Sequence, residues 1–331
     1  MKDAAAHDVA LAYSPVVIGP LTLRNRFVKS ATNEGMSPDG VPSRQLVQFH
    51  ADMAAGGVGL TTLAYCAVST QGCTLPNQIC LDRATLPHLR ALTDAVHAKG
   101  GAVSAQVTHG GCFTFTKVPG QSRPLSASGG SNKIGLMSGQ YLKRQMNAAD
   151  MERIAAEFAR GAQLAREAGF DAVEIHMGHG YLLSQFLSPL YNKRNDLYGG
   201  TLDNRLRFPR EVLRRVLDAV GEDLAVICKY SMVEGARGGN GGLLNSMAVF
   251  IPLMTQKGRP SRVSLFIVHE VASAGLVLAH LLAGQVIEFL CIARQIESSD
   301  GWHPVGAVVE QTGLNETVLL VQIGQGFGQF R

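Results

Sequence analysis

From Phe27 to Tyr230 the sequence alternates short apolar runs with longer segments whose apolar residues recur every three or four positions, and this alternation limits the fold most. Phe27–Ser30 is a first strand, and Val58–Ala64 follows Gly56-Gly57 as a second. Ala84–Lys99 reads as a helix with Leu86, Leu89, Leu92 and Val96 on one face, closed by Gly100-Gly101. Ala102–Val107 is the next strand. Asn147 caps a helix over Ala148–Ala168, whose stripe is Ile154, Phe158, Ala162 and Ala165 and whose stop is Gly169. A strand at Ala172–Ile175, a helix from about Leu206 to Ala219 and a strand at Leu224–Tyr230 complete the series. Strands that are apolar almost throughout belong to a parallel sheet covered on both faces. Four βα units allow a closed barrel or a doubly wound sheet. No G-x-G-x-x-G follows an early strand, so the expected class is α/β, a (β/α)8 TIM barrel.

The size suits that choice, because 331 residues fit one barrel with insertions, and 46% apolar residues supply a large core. Charged residues make up 17% and the net charge is +4, with no block of Lys and Arg, so no nucleic-acid partner is expected. The six cysteines (Cys66, Cys73, Cys80, Cys112, Cys228, Cys291) form no C-x-x-C pair, which removes zinc-ribbon and iron–sulfur spacings. The start of the chain lacks the apolar core of a signal peptide, and no run of 18 uninterrupted apolar residues occurs. The expectation is a reduced cytoplasmic protein with no membrane partner.

After residue 240 the pattern changes. Gly235–Gly242 is glycine-rich, and Pro252, Gly258 and Pro260 break up the next stretch. Val263–Val268, Val286–Ile292 and Val318–Ile323 read as strands and Ala272–Ala283 as a helix. The expected organisation is a single barrel domain over 1–331, regular to 240 and atypical or incomplete over 241–331. A shifted or misjoined reading frame is one source of such a break.

The chemistry concentrates in Glu174–Gly200, EIHMGHGYLLSQFLSPLYNKRNDLYGG. Alternation puts Ala172, Glu174 and His176 on the inward face of their strand and Val173 and Ile175 against the helices. Glu174 is then a buried acid that needs a cationic partner, for which Lys229 on the next strand is a candidate. His176, His179 and Tyr181 lie at a strand end, where catalytic groups of barrels collect. Two imidazoles and a phenol can bind a carbonyl oxygen, donate a proton or hold a metal. The metal reading lacks a third ligand at helical spacing, and no metal is expected. Gln106, at another strand end, carries an amide that both donates and accepts, which suits a planar heterocycle with C=O and N–H edges.

The chain is similar to the Old Yellow Enzyme-type flavin oxidoreductases, including the 2,4-dienoyl-CoA reductase branch, over roughly residues 14 to 240. The likeness rests on four segments in order: SPVVIGPLTLRNRFVKSATNEGMSPDG, PHLRALTDAVHAKGGAVSAQVTHGG, the Glu174–Gly200 loop, and YNKRNDLYGGTLDNRLRFPREVL. The resemblance implies an FMN-containing barrel. Ser30, Ala31 and Thr32 would contact the flavin ring, with Asn33 near its reactive edge. Ala64 and Tyr65 would lie beside the ring, Gln106 would bond its pyrimidine edge, and Lys229 would sit near the N1–C2=O side. His176 and His179 would grip the carbonyl oxygen of the substrate, and Tyr181 would donate a proton. The implied reaction is ping-pong reduction of an α,β-unsaturated carbonyl compound, with NAD(P)H as reductant, in a protein that can also be a homo-oligomer.

The family's phosphate loops find no clear counterpart after Gly242. Gly258-Arg259-Pro260 comes too early, and Gly324-Gln325-Gly326 is a weak substitute. Without an iron–sulfur cluster or a second nucleotide domain, the likeness is to the short members. Two alternatives stand beside the flavin reading: a non-flavin barrel enzyme using His176 and His179, and a relative that no longer holds FMN.

Overall fold

The alternation becomes a parallel sheet in the computed structural model. The structure describes residues 10, 12–117, 122–231, 234 and 239, and beyond these the backbone of five short strands between 263 and 304. An antiparallel hairpin comes first, with β1 at Val16–Ile18 and β2 at Leu21–Leu23. The wall then runs through β3 (Val28–Lys29), helix α1 (Arg44–Ala55), β4 (Leu60–Ala67), α2 (Leu86–His97) and β5 (Ala102–Thr108). An excursion of three short strands, β6 (Leu125–Ser126), β7 (Gly130–Ser131) and β8 (Leu142–Gln145), forms its own small sheet. The wall resumes with α3 (Ala148–Glu167), β9 (Ala172–Met177), the short α4 (Leu182–Leu187), α5 (Leu202–Val220), β10 (Ala225–Ser231) and β11 (Val263–Val268).

The six wall strands lie in the order β3-β4-β5-β9-β10-β11, and every pairing among them is parallel. Order in space therefore equals order in the chain. A doubly wound sheet reverses direction at a switch point; a barrel wall does not. The barrel expectation holds over the described wall.

Side-chain alternation divides the sheet as expected. Val173, Ile175, Val226, Cys228, Val103 and Val107 join the helices in the large core, whereas Ala172, Ala225, Ile227 and Leu60 face inward. Those inward residues pack against Val16, Ile18 and Leu23, so the hairpin seals the N-terminal end of the sheet with apolar side chains.

The Asn147 cap is present in full: its side chain accepts from the Asp150 amide, and the Asp150 carboxylate accepts from the Asn147 amide, each at 2.9 Å. The strand expected at Val263–Val268 forms and pairs with β10 in parallel. The helix expected over Ala272–Ala283 is corrected, because Val277–Ala279 is a strand paired antiparallel with Phe289–Cys291. Val277, Leu278 and Ala279 are apolar without a polar face, and such a short run fits either state. Within Val286–Ile292 the strand covers Phe289–Cys291. The strand expected at Val318–Ile323 lies outside the described residues, as do both phosphate-loop candidates.

Candidate active site

The inward residues at the C-terminal ends of β4, β5, β9 and β10 meet the loop after β3. Gln106 on β5 lies opposite Glu174 on β9, and His176 lies opposite Lys229 on β10. All four are buried. Gln106 Nε2 donates to Glu174 Oε1 at 2.6 Å. The partner expected for Glu174 was Lys229. The direct contact is instead this amide, and Lys229 Nζ donates to the Ala31 carbonyl at 2.9 Å. Burial raises the Glu174 pKa, while the charge of Lys229, the Gln106 hydrogen bond and the charge of Lys29 act against that rise.

The bond from Lys229 holds down Ser30–Asn33, which carries four of the residues expected at the site. Ala31 is buried, Ser30 is half-buried, and Thr32 and Asn33 are exposed. Thr32 Oγ1 donates back to the Ser30 carbonyl at 3.4 Å, and Asn33 Oδ1 accepts from the Gly35 amide at 3.2 Å, so the segment carries its own turn.

Ala64 and Tyr65 occupy an irregularity in the β4–β5 ladder, where the register shifts between Leu63 and Cys66. Irregularities of this kind re-aim side chains beside active sites. Here the Tyr65 hydroxyl meets Thr74 Oγ1 at 2.8 Å, and the Tyr65 ring lies 5.7 Å from that of Tyr181.

After β9 the chain turns tightly through Gly178-His179-Gly180. His179 takes φ 55°, a left-handed conformation uncommon for a residue with a side chain. Gln185 supports the turn, its Nε2 donating to the Gly180 carbonyl at 2.7 Å and to the Gly110 carbonyl at 3.1 Å. The turn brings Tyr181 over His176, with ring centroids 4.9 Å apart and Phe113 on another side at 5.2 Å. Burial, and next the neighbouring Tyr65, push the Tyr181 pKa upward, so its phenol keeps its proton.

His176 is neutral, because burial, with His179 and Lys229 nearby, holds its pKa well below the usual value. The Gly178 amide donates to His176 Nδ1 at 3.2 Å, which fixes the ring proton on Nε2. That nitrogen lies 3.1 Å from His179 Nδ1. His179 itself is exposed, and its backbone amide donates to Ser231 Oγ at 3.2 Å. The pair thus presents an imidazole N–H at the mouth of the site, beside a protonated phenol.

A second buried cluster stands behind the first. Lys29 pairs with Glu34 and donates to the Thr62 carbonyl at 3.1 Å. His50 Nε2 lies 3.6 Å from Glu34 Oε1, and His50 Nδ1 bonds Thr61 Oγ1 at 2.8 Å. Burial raises the Glu34 pKa and lowers that of Lys29, and their mutual attraction opposes both shifts. Sequence reasoning missed this cluster, although Lys29 and Glu34 bracket the SATN segment. It also missed Thr74 and Phe113, which approach from loops far away in sequence, and Gln185, which reaches back from α4 just after Tyr181.

Several buried hydroxyls along these strands have no hydrogen-bond partner, among them Ser30 Oγ, Ser104 Oγ and Thr108 Oγ1. Ser104 and Thr108 flank Gln106 on the same face of β5. Unpaired buried hydroxyls around an amide and a lysine form a donor and acceptor set for a polar planar ring. Among the described residues no group of three His, Cys, Asp or Glu side chains gathers to hold a metal, and no helix is long and apolar enough to cross a membrane.

Residues 12–269 match the model of the NADH:flavin oxidoreductase / NADH oxidase family. The chain belongs to this family. It is therefore a member of a family of oxidoreductases, and the match continues past residue 240, where the sequence pattern breaks. The chain is 44% identical over 225 residues to the 4,4'-dithiodibutanoate disulfide reductase of Rhodococcus erythropolis, covering 67% of this chain and 54% of that protein. It is 33% identical over 212 residues to the 12-oxophytodienoate reductase-like protein 2A of Arabidopsis thaliana, covering 63% of this chain and 78% of that one. Among solved structures, Old Yellow Enzyme from Pichia sp. AKU4542 superposes with a TM-score of 0.68 at 25% identity, over 77% of this chain and 70% of that chain. Over the described residues the fold is the wall of that TIM barrel.

The chain spans about half the length of the first of these relatives, and between 31% and 35% of four others. A likeness confined to the short NADH:flavin oxidoreductases is thus not what the comparisons give. Longer members match as well.

Proposed function

We propose that this NADH:flavin oxidoreductase family member binds FMN along the inward face of β4, β5, β9 and β10 and uses NAD(P)H to reduce the C=C bond of α,β-unsaturated carbonyl compounds. The observation that carries the reading is the edge-to-face packing of Tyr181 on His176, beside His179, at the same strand ends that carry Gln106 and Lys229. The unpaired hydroxyls of Ser30, Ser104 and Thr108, the Gln106 amide and the cationic Lys229 fit the polar edge of a flavin ring. When bound, FMN supplies hydride to the β-carbon of the substrate.

The protein's own groups do the rest. A substrate carbonyl oxygen placed between the two imidazoles accepts from His176 Nε2–H, and from His179 once that ring carries its proton on Nδ1. Two such donors stabilise the negative charge that grows on this oxygen. Tyr181, kept protonated by burial, delivers a proton to the α-carbon. Ala64 and Tyr65 flank the ring position, and the backbone of Ser30–Asn33, pinned by Lys229, lines its other side.

The test is the visible spectrum of the purified protein with FMN. A flavin spectrum that bleaches with NADH or NADPH and recovers on adding an enone supports the reading. Protein that stays colourless after incubation with FMN overturns it. In the Tyr181→Phe variant, bleaching by NAD(P)H should persist while enone reduction slows by about 100-fold or more, the usual scale for losing a general acid.

A further inference from the structure

Gln106 and Glu174 are direct partners in the β5–β9 ladder, and their side chains meet at 2.6 Å, each almost completely buried. An ionised carboxylate accepts hydrogen bonds and donates none. An amide beside it is therefore not free to turn over. With the nitrogen toward Glu174 a short charge-assisted bond forms, whereas with the oxygen toward Glu174 two buried acceptors would face each other unpaired. The geometry shows the first arrangement, with Gln106 Nε2 donating to Glu174 Oε1, and the charges of Lys229 and Lys29 favour the ionised acid against the burial that raises its pKa. The carbonyl oxygen of Gln106 must then point away from Glu174, toward whatever occupies the pocket.

We propose that Glu174 is a positioning residue that fixes the rotation of the Gln106 amide, so that the pocket presents an acceptor and selects a planar ring with an N–H on the edge it meets. The proposal rests on the FMN reading, since the isoalloxazine ring carries such a group at N3 between two carbonyls. It adds what that reading lacks, namely which atom of Gln106 faces the ring and which residue decides it. Glu174 touches neither ring nor substrate, and acts only through Gln106.

The experiment compares the dissociation constants of FMN and N3-methyl FMN for the full chain, monitored by flavin fluorescence, with circular dichroism melting as the check on folding. The methyl group removes the N–H and adds its own bulk, so the preference is read as the change between wild type and variants. Wild-type protein should bind the methylated ring about tenfold or more weakly, the loss expected when a buried acceptor goes unpaired. In Glu174→Gln the neighbouring side chain can donate, the Gln106 amide can turn, and the preference should fall to within about threefold. Glu174→Asp retains an acceptor-only partner and should retain the preference. In Gln106→Met the preference should vanish, with no further effect of Glu174→Gln in that background.

A merely structural Glu174 would weaken both ligands equally and leave their ratio unchanged. A folded Glu174→Gln protein that still prefers FMN tenfold overturns the proposal while leaving the FMN reading intact. So does wild-type protein that binds the two flavins equally. If Glu174→Gln does not fold, Glu174→Asp decides: a folded Glu174→Asp protein without the preference overturns the proposal. Wild-type protein that binds neither flavin overturns the FMN reading, and the proposal falls with it.

Discussion

His109 shows what a single buried side chain can do to the pH response of the whole protein. It comes directly after β5, its Nδ1 accepts from the Gly111 amide at 3.0 Å, and its Nε2 has no partner. Burial first, and the charge of Arg153 second, pull its pKa down to about 3. In the unfolded chain a histidine takes up its proton near pH 6.5. Between these values the unfolded state binds more protons, so stability is complete above about pH 6.5 and is lost as the pH falls toward 3. His109→Asn keeps an acceptor for the Gly111 amide and removes the titration. Its denaturation free energy should depend less steeply on pH than the wild type's in that window, by up to about 1.4 kcal/mol per pH unit. Urea titrations at several pH values between 4 and 7 measure the difference, and parallel slopes for the two proteins would refute it. The Glu174–Gly200 stretch let sequence reasoning reach His176, His179 and Tyr181, because a strand end rich in donors is a local signal. The Lys29–Glu34–His50 cluster was not legible, because its members come from three elements and only the fold brings them together.

At the level of elements, legibility tracked the strength of the apolar stripe and of the caps. Helix α3 was legible almost to its ends, since Asn147 and Asp150 form a reciprocal cap ahead of a regular stripe. Asn147→Ala removes half of that arrangement and should cost about 1 kcal/mol by chemical denaturation, a typical N-cap loss. Helix α1 escaped notice. Its buried face is Leu46, His50, Ala51 and Ala54, two alanines and a histidine around one leucine, which leaves little hydrophobic contrast. For helix α5 the sequence pattern suggests a start at Leu206, which would keep Pro209 in the first turn, where proline is tolerated. It begins instead at Leu202, capped by Thr201, and carries Pro209 in its interior. The rest of the helix, which buries Val212, Leu213, Val216 and Val220, holds the proline in place through packing. The β1–β2 hairpin was invisible for another reason: three-residue strands around Gly19-Pro20 are too short to show a period.

For the molecule as a whole, that hairpin has an effect out of proportion to its length. Leu23 and Ile18 are both 1% exposed and fill the N-terminal end of the sheet beneath Ala172, Ala225 and Ile227. Leu23→Ala should therefore destabilise the protein by about 2–5 kcal/mol, the range for emptying a packed core site. A thermal melt tests this, and a melting temperature equal to the wild type's would mean that the hairpin is not part of the cooperative unit. The class of fold was legible because parallel strands between amphipathic helices leave few arrangements. The seal was not, because it depends on which end of the sheet a short hairpin docks against.

The monotonic order of the wall strands also bears on how the chain is made. Each parallel strand from β4 onward lies beside one that precedes it in the chain, so a nascent chain leaving the ribosome can lay each new strand on a neighbour already synthesised. The hairpin emerges earlier still, as a ready surface for the inward residues of the later strands. Partners in the wall are nonetheless far apart in sequence, as with Val28 and Leu60 or Gln106 and Glu174, and such long-range parallel pairing is slow to form. At every stage the newest strand is an open edge until the next one arrives, and a pause in synthesis would leave that edge for another chain to find.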